Sequence, residues 1–203
     1  MPSKASKEAR LLVLNCCQEM QKTALVIGSS GNISLRIAGT DQIAITPSGI
    51  DYSCMSADEV VMLNLEGKKL EGDRAPSMEH PLHLAIYNAR QDVQAIVHTH
   101  STYASALAVL RLPIPQIIDE LVFQLGGQVE VADYAFPGSH ELAANVVKAL
   151  GPRNAVLLAN HGGLAVGSTL DRAYQNAVLL ERAAHIYLLA CAVDLKKIHT
   201  ISS

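Results

Sequence analysis

The sequence lacks the features that mark proteins that bind nucleic acid or cross membranes. It has no cluster of lysine and arginine, and its 16 basic and 19 acidic residues give a formal net charge of −3. A nucleic-acid partner is not expected, because such proteins neutralise phosphate charge with a basic patch. No apolar stretch reaches the ~18 residues that a membrane span needs, so no membrane partner is expected either.

Cysteine is also scarce, and its placement excludes a disulfide framework. The four cysteines form no CxxC pair, and Cys16 and Cys17 are adjacent, so on a helix they would point to different faces. This pattern is typical of buried free thiols in a reducing compartment. Because the polar N-terminus also lacks the character of a signal peptide, the sequence predicts a cytoplasmic protein.

Two common catalytic motifs are missing as well. The chain has no GxxxxGK(S/T), which excludes a nucleotide P-loop, and no GxSxG, which argues against a serine hydrolase. Apolar residues, in contrast, are abundant: 49% of the 203 residues are hydrophobic and 17% are charged. This composition predicts one domain over residues 1–203 with a sizeable core.

The periodicity of apolar residues predicts helices and strands in mixed order. Helices are expected over residues 6–23, 77–89, 103–110, 139–150 and 170–192. Strands are expected over residues 33–38, 42–46, 60–65, a few residues after 69, 93–99, 129–134 and 155–159. Hairpins combined with strand–helix alternation predict an α/β fold with a mixed sheet and helices packed on it.

Two histidines close one of these strands. In His98-Thr99-His100 the two histidines share a face of the strand, so both imidazoles can approach one cation. Alone, this pair equally fits two polar residues at the end of a strand. His161 favours the metal interpretation, because it follows a second apolar strand and α/β sheets place ligands at strand ends. Three histidines leave zinc one open position, as in catalytic sites.

Further candidates surround the start of the second helix. Glu79 suits the positive end of a helix dipole, but it is also placed to bind a metal or to accept a proton from carbon. His83, four residues on, either reaches the same region or packs as a core histidine. The turn at residues 28–32, Ser48-Gly49 and Ser77 offer N–H and hydroxyl groups that can bind phosphate without lysine, although each also fits an ordinary turn.

Five segments carry a resemblance to a known family. They are GSSGNISLR (28–36), ITPSGIDY (45–52), PSMEHPLHLAIY (76–87), AIVHTHSTYASAL (95–107) and LLANHGGLAVGSTLDRA (157–173). In their order and spacing, these segments make the chain resemble the class II aldolase/adducin family. The resemblance implies a three-layer α/β/α fold with a central, largely antiparallel mixed sheet, assembled as a homotetramer with active sites between subunits.

The resemblance also implies the chemistry of the site. It assigns a metal, Zn²⁺ with Mn²⁺ or Co²⁺ as alternatives, to His98, His100, His161 and Glu79. It assigns the substrate phosphate to Ser30, Gly31, Asn32, Ser48, Gly49 and Ser77. The implied activity is cleavage of a keto-sugar phosphate, similar to fuculose 1-phosphate, to dihydroxyacetone phosphate and an aldehyde. The metal would stabilise the enediolate, and Glu79 would move the proton at carbon.

Two positions depart from the family's aldolases. Met78 stands where they have a second serine, and Asp119 stands where a tyrosine from the neighbouring subunit donates a proton. Asp119 and Glu120 are therefore the first candidates for the second proton transfer, with Tyr103 and Tyr134 as alternatives. These departures leave open a decarboxylase, epimerase or dehydratase acting on a related sugar or sugar-acid phosphate. A non-catalytic, adducin-like assembly module is disfavoured, because that branch lacks the metal histidines.

Overall fold

The computed structural model describes residues 3–201. Its helices are α1 (Lys4–Lys22), α2 (His80–Ala89), α3 (Thr102–Leu110), α4 (His140–Leu150) and α5 (Leu170–Asp194). Its strands are β1 (Asn32–Arg36), β2 (Gln42–Ile45), β3 (Val61–Asn64), β4 (Lys69–Glu71), β5 (Ala95–Thr99), β6 (Val131–Ala132), β7 (Ala155–Leu158) and β8 (Gly162–Gly167). Short 3-10 helices cover Ala57–Glu59 and Leu195–Lys197, and a π-helical turn covers Leu121–Leu125.

All eight strands form one sheet, in the order β4-β3-β2-β1-β5-β8-β7-β6. The pair β6–β7 at one edge is parallel, and the other six pairs are antiparallel. The expectation of a largely antiparallel mixed sheet is therefore confirmed. Strand β5 lies in the interior of the sheet, and all five of its residues are buried.

Helices cover both faces of the sheet and complete the expected three-layer arrangement. Helices α1, α3 and α5 pack on one face, where Leu180 belongs to the core, and α2 and α4 pack on the other, where Ile86 does. Successive residues of a strand point to opposite faces. Val97 accordingly belongs to the first core and Ile96 to the second. His98 is two residues from Ile96 and therefore faces the layer of α2.

Hydroxyl side chains set the start of three helices. Ser3 accepts a hydrogen bond from the N–H of Ser6 at the start of α1. Ser139, the predicted cap of α4, does the same for Leu142, and Thr169 caps α5. Such caps satisfy N–H groups that have no partner inside the helix, and each contributes about 1 kcal/mol.

The start of the second helix differs from the prediction. Helix α2 begins at His80, three residues later than expected, and Glu79 is its N-cap residue instead of part of its first turn. The delay arises because the preceding segment pairs with the end of β2: Pro76 bridges Pro47, and the N–H of Ser77 donates to the Thr46 carbonyl at 2.9 Å. This pairing places Glu79 beside the end of the interior strand β5.

Strand β8 was not predicted, because its leading glycines suggested a turn. A Cβ at Gly162 would overlap the carbonyl oxygen of Thr99, and one at Gly163 would lie 2.7 Å from a methyl of Leu180. The glycines therefore let β8 pack closely between β5 and α5, and they bring the neighbouring His161 to the end of β5. The predicted strand at residues 129–134 is also shorter, with two residues in β6.

Two further expectations concern composition. No helix within residues 3–201 is both long enough and apolar enough to cross a membrane. All four cysteines are free; Cys17 is buried as expected, whereas Cys54 is exposed because it lies in a surface turn.

Candidate metal centre

Four side chains converge at one end of β5. His98 and His100 come from the end of this strand, His161 from the turn between β7 and β8, and Glu79 from the residue before α2. The Nε2 atom of His98 lies 3.1 Å from that of His100 and 3.3 Å from that of His161. Glu79 places Oε2 3.3 Å from Nε2 of His98 and Oε1 3.6 Å from Nε2 of His161. One ligand atom from each residue lies within 4.8 Å of all the others.

The sheet register holds this cluster together. Strands β5 and β8 pair so that Thr99 lies opposite Gly163, which places the turn carrying His161 beside the end of β5. The Nδ1 atom of His98 donates a hydrogen bond to the Gly163 carbonyl at 2.9 Å. Because Nδ1 carries the proton, Nε2 of neutral His98 presents a lone pair to the cluster.

The donor set fits a divalent cation. Zinc–nitrogen bonds of about 2.0–2.1 Å in tetrahedral geometry place two nitrogen ligands about 3.3 Å apart, close to the separations observed around His98. The Oε1 atom of Glu79 is buried and has no hydrogen-bond partner in residues 3–201. A buried carboxylate oxygen without a partner is costly unless a cation or a proton reaches it. Imidazole and carboxylate ligands suit several divalent transition metals.

The electrostatics of the cluster favour ligand-ready protonation states at His100, His161 and Glu79, and the opposite state at His98. Burial, followed by the charge of His98, lowers the pKa of His100 to about 3 and that of His161 to about 4. Burial acts to raise the pKa of Glu79, but His98, His161 and the Asn32 amide outweigh it and hold that pKa below its ordinary value. Burial acts to lower the pKa of His98, but the Glu79 carboxylate outweighs it and the net shift is upward. Neutral imidazoles and an ionised carboxylate are the states that metal ligands need, so a cation binding here would have to overcome the upward pKa shift at His98.

Several residues predicted to bind phosphate lie next to the cluster. Gly31 has a positive φ of 72°, and a Cβ there would lie 2.5 Å from the His98 carbonyl oxygen, so only glycine fits against β5. The Pro47–Pro76 bridge brings the exposed turn of Ser48 and Gly49 beside the buried Ser77. These segments meet at the cluster's edge, and their role in phosphate binding stays a prediction.

Three of the predicted phosphate ligands already have partners inside the protein. The hydroxyl of Ser77 accepts from the N–H of Glu79 at 3.3 Å. The hydroxyl of Ser30 donates to the Ile27 carbonyl at 2.7 Å and closes its own turn. The side-chain amide of Asn32 donates to Oε2 of Glu79 at 2.8 Å. Asn32 is therefore linked directly to the proposed acid/base residue.

Asp119 and Glu120 lie apart from the cluster within one chain. They precede the π-helical turn, and neither contributes an atom to the group of Glu79, His98, His100 and His161. Asp119 is exposed, and Glu120 forms an ion pair with Arg182 of α5 at 3.3 Å. Their catalytic role stays a prediction that depends on a neighbouring subunit.

Sequence analysis did not predict the role of some residues around the cluster. The carbonyl of Gly163, which orients His98, belongs to the unpredicted strand β8. Ser34 is fully buried and hydrogen-bonds to His83 at 2.6 Å, although it lies on an interior strand among apolar residues. A polar residue between Ile33 and Leu35 was the available signal, since buried hydroxyls need partners.

Comparison with protein families identifies the fold. The profile described as Class II Aldolase and Adducin N-terminal domain matches residues 12–188. This chain belongs to the class II aldolase/adducin family. The resemblance inferred from the five sequence segments is thereby confirmed, and all four residues of the cluster lie inside the matched region.

Several proteins that resemble this chain are named aldolases. The chain is 38% identical over 170 residues to 5-deoxy-D-ribulose 1-phosphate aldolase of Bacillus thuringiensis serovar kurstaki, covering 84% of this chain and 79% of that protein. It is 35% identical over 181 residues to L-fuculose phosphate aldolase of Escherichia coli O6:H1, covering 89% and 83%. A solved L-fuculose 1-phosphate aldolase has a TM-score of 0.93 at 36% identity, covering 100% of this chain and 93% of that one.

These relatives confirm the expected class of enzyme. The chain is a class II aldolase, a carbon–carbon lyase of a metal-dependent class. The predicted α/β/α fold agrees with the solved aldolase structure over the whole chain.

Proposed function

We propose that this class II aldolase cleaves a keto-sugar phosphate, similar to fuculose 1-phosphate, to dihydroxyacetone phosphate and an aldehyde. The observation that carries the proposal is the convergence of three histidine nitrogens and a buried carboxylate at one point. The proposed metal is Zn²⁺, with Mn²⁺ or Co²⁺ as alternatives, held by His98, His100, His161 and Glu79. Relatives named for L-fuculose phosphate and 5-deoxy-D-ribulose 1-phosphate support a substrate of this class.

The proposed division of labour places the proton at carbon under the control of Glu79. When bound, the cation supplies Lewis-acid stabilisation of the negative charge that develops on substrate oxygen. In the synthetic direction, ionised Glu79 removes a proton from a carbon of dihydroxyacetone phosphate, and in cleavage it returns that proton to the same carbon. Asn32 holds Oε2 at 2.8 Å, which leaves the unpartnered Oε1 as the atom that carries the proton.

The second proton transfer takes place on the aldehyde side. In cleavage, the hydroxyl on the carbon that becomes the aldehyde loses its proton while the carbon–carbon bond pair passes to the enediolate. Asp119 or Glu120 of a neighbouring subunit is the proposed acceptor of that proton. We therefore also propose a cytoplasmic homotetramer with active sites between subunits, the assembly implied by the family resemblance.

The substrate phosphate is proposed to bind at the edge of the cluster. The proposed pocket consists of Ser30, Gly31, Asn32, Ser48, Gly49 and Ser77. Its support is the adjacency of three turn segments beside the cluster. The N–H groups of Ser30, Ser48 and Ser77 already donate to backbone carbonyls. The proposed anion ligands are therefore the N–H groups of Gly31 and Gly49, with the hydroxyls of Ser48 and Ser77. Met78, 59% exposed beside Glu79, adds no hydroxyl to this pocket.

A substrate and metal screen tests the proposal. The protein is stripped of metal, reloaded with Zn²⁺, Co²⁺ or Mn²⁺, and assayed with L-fuculose 1-phosphate and 5-deoxy-D-ribulose 1-phosphate. We expect dihydroxyacetone phosphate and aldehyde in equal amounts, loss of turnover with chelator, and recovery with one of the three ions. Release of carbon dioxide, or formation of an epimer or dehydrated sugar without triose phosphate, would instead support the alternative activities of this scaffold. A protein that holds no stoichiometric metal and turns over nothing would support the adducin-like module.

A further inference from the structure

A chain of buried polar side chains lies behind Glu79, on the side of Asn32. The Nε2 atom of His83 lies 2.5 Å from Oδ1 of Asn32, and its Nδ1 lies 2.6 Å from the hydroxyl of Ser34. That hydroxyl lies 2.8 Å from the hydroxyl of Tyr87. His83, Ser34 and Tyr87 are 0% exposed and Asn32 is 4% exposed, so water cannot replace these hydrogen bonds.

The direction of each hydrogen bond in this series of side chains follows from the Glu79 carboxylate at one end, because an ionised carboxylate can only accept. Glu79 accepts from the N–H of Asn32, so the other end of that amide, Oδ1, faces His83 and must accept. His83 therefore donates from Nε2, and its Nδ1 accepts from Ser34. Burial, followed by the charge of His98, lowers the pKa of His83 to about 3, which keeps this ring neutral. Ser34 in turn accepts from the hydroxyl of Tyr87.

This directionality removes an ambiguity in the Asn32 amide. If that amide were flipped, its oxygen would face the Glu79 carboxylate, and its NH₂ group would face the N–H of His83. Both contacts are repulsive in a buried site, where unmatched polar groups are costly. The Glu79 carboxylate and the N–H of His83 thus favour the same amide orientation. It donates to Oε2 and leaves Oε1 directed toward His161 at 3.6 Å.

The backbone places the three residues for this role. Asn32 opens β1 and lies opposite His98 in the β1–β5 register, so its amide lies beside the cluster. Glu79 is the N-cap of α2, and His83 follows four residues later on the same helix, one turn away. The helix thus carries both the carboxylate and the histidine that orients it through Asn32.

We propose that His83 is a positioning residue for Glu79, acting through the amide of Asn32. This inference rests on the proposed role of Glu79 as carrier of the proton at carbon. The competing interpretation is a core histidine that contributes stability alone. The two differ in what happens when the N–H of His83 is removed while the ring volume stays.

Kinetics of His83 variants make the first test. His83→Phe keeps a ring but cannot donate to Asn32, and we expect kcat to fall by about 10–100-fold, the usual effect of losing an outer partner of a metal site. KM should change by less than about 3-fold, since Glu79 acts in the chemical step. His83→Gln, whose amide can donate to Asn32 and accept from Ser34, should recover most of kcat. Ile86→Val serves as the stability control, because Ile86 is buried on α2 but takes no part in the series of hydrogen bonds from Asn32 to Tyr87.

A spectroscopic test does not depend on finding the substrate. In protein loaded with Co²⁺, the visible absorption bands report the ligand geometry. His83→Phe should shift or weaken these bands while Co²⁺ stays bound through the histidines, and His83→Gln and Ile86→Val should match the wild type. If no sugar phosphate is turned over, the proposed function fails, yet the cobalt bands still test the positioning.

A double-mutant cycle with Glu79→Gln locates the effect. If His83 acts through Glu79, adding His83→Phe to Glu79→Gln should change kcat by less than about 3-fold, because the interaction is already lost. The proposal is overturned if His83→Phe lowers the melting temperature alone, with kcat and cobalt bands unchanged, or if its full kinetic effect persists without Glu79. If His83→Phe does not fold, Ser34→Ala is tested in its place. Without the Ser34 hydroxyl, nothing holds the proton of His83 on Nε2, so the ring can lose its hydrogen bond to Asn32. A drop in kcat with shifted bands then supports the proposal, and unchanged values refute it.

Discussion

The metal cluster and the acidic pair Asp119–Glu120 lie in regions of opposite character. In the cluster, His98 is 0% exposed and Glu79 is 6% exposed, and the sheet and the start of α2 fix both. Asp119 is exposed, and the contact of Glu120 is a surface ion pair with Arg182, whose side chains are 38% and 63% exposed. Exposed ion pairs contribute little to stability and hold their side chains loosely.

This difference shows which half of the reaction one chain can organise. The residues proposed for the carbon-side chemistry already have their ligand atoms within 4.8 Å of one another in a single chain. Such preorganisation is where much of catalysis lies. The groups proposed for the aldehyde side, Asp119 and Glu120, are in contact with solvent, where a carboxylate keeps its ordinary acidity. If Asp119 or Glu120 acts in the reaction, a neighbouring subunit must cover it.

Removing one ligand should have the largest effect. His161→Ala deletes one of three imidazoles, and we expect metal affinity to fall by more than about 100-fold, since even an outer-shell partner is worth about 10–100-fold. Turnover should fall to background. Elemental analysis of dialysed protein and kcat measure both, with the exposed His140→Ala as a control that keeps its metal. A His161→Ala protein with full metal content would break the contrast between the two regions.

Changing the proton carrier should separate chemistry from metal binding. Glu79→Gln keeps the shape of the side chain and the three histidines, so the protein should retain its metal while kcat falls roughly 10³-fold, within the range for a positioned acid/base. Glu66→Gln, an exposed carboxylate in the turn before β4, should change neither value. A Glu79→Gln enzyme within about 10-fold of wild type would remove Glu79 from the proton transfer.

The sequence predicted the cluster better than its surroundings, for a physical reason. Strand periodicity alone places His98 and His100 on one face, and an apolar run before His161 signals another strand end. Glu79 does lie with the three histidines, but its local structure was predicted wrongly, because the bridge between Pro47 and Pro76 delays α2 by three residues. Pairing between distant segments is invisible to local pattern.

The same limit explains what the sequence did not predict. The glycines of β8 resemble a turn locally, and their role, close packing under Thr99 and Leu180, exists only in the folded sheet. The series of hydrogen bonds from Asn32 to Tyr87 joins β1 to α2, about fifty residues apart, so no local sequence pattern indicates it. The sequence indicated that His83 could reach the site region, but not which partners it would find.

The acidic pair should show a smaller kinetic effect than the cluster. Asp119→Asn and Glu120→Gln each remove a carboxylate, and we expect one of them to lower kcat by about 10²-fold, the lower end for a proton-transfer group. Metal content should be unchanged in both. Arg182→Gln separates the loss of the ion pair from the loss of the acid at Glu120. If both acid variants keep full kcat, the aldehyde-side proton has another carrier, and the exposed region has no catalytic role.

The smallest effect concerns stability and pH at His83. Its pKa is lowered from the ordinary 6.5 to about 3 by burial and by His98, so the unfolded chain binds this proton more readily than the folded protein. Stability is therefore complete above pH 6.5 and is lost as pH falls below that value. Between pH 7 and pH 5, this one residue should cost about 2 kcal/mol of unfolding free energy. His83→Gln, which cannot be protonated, should lack this loss.

The measurement compares urea unfolding of metal-free wild type and His83→Gln at pH 7, 6 and 5. Titration of His98, His100, His161 and Glu79 is common to both proteins and largely cancels in the difference, which isolates His83. From pH 7 to pH 5, the unfolding free energy of the wild type should fall by about 2 kcal/mol more than that of His83→Gln. Parallel curves would mean that His83 gains its proton in the folded protein as easily as in water. In that case the buried side of the cluster is as open to solvent as the acidic pair, and the distinction between the two regions fails.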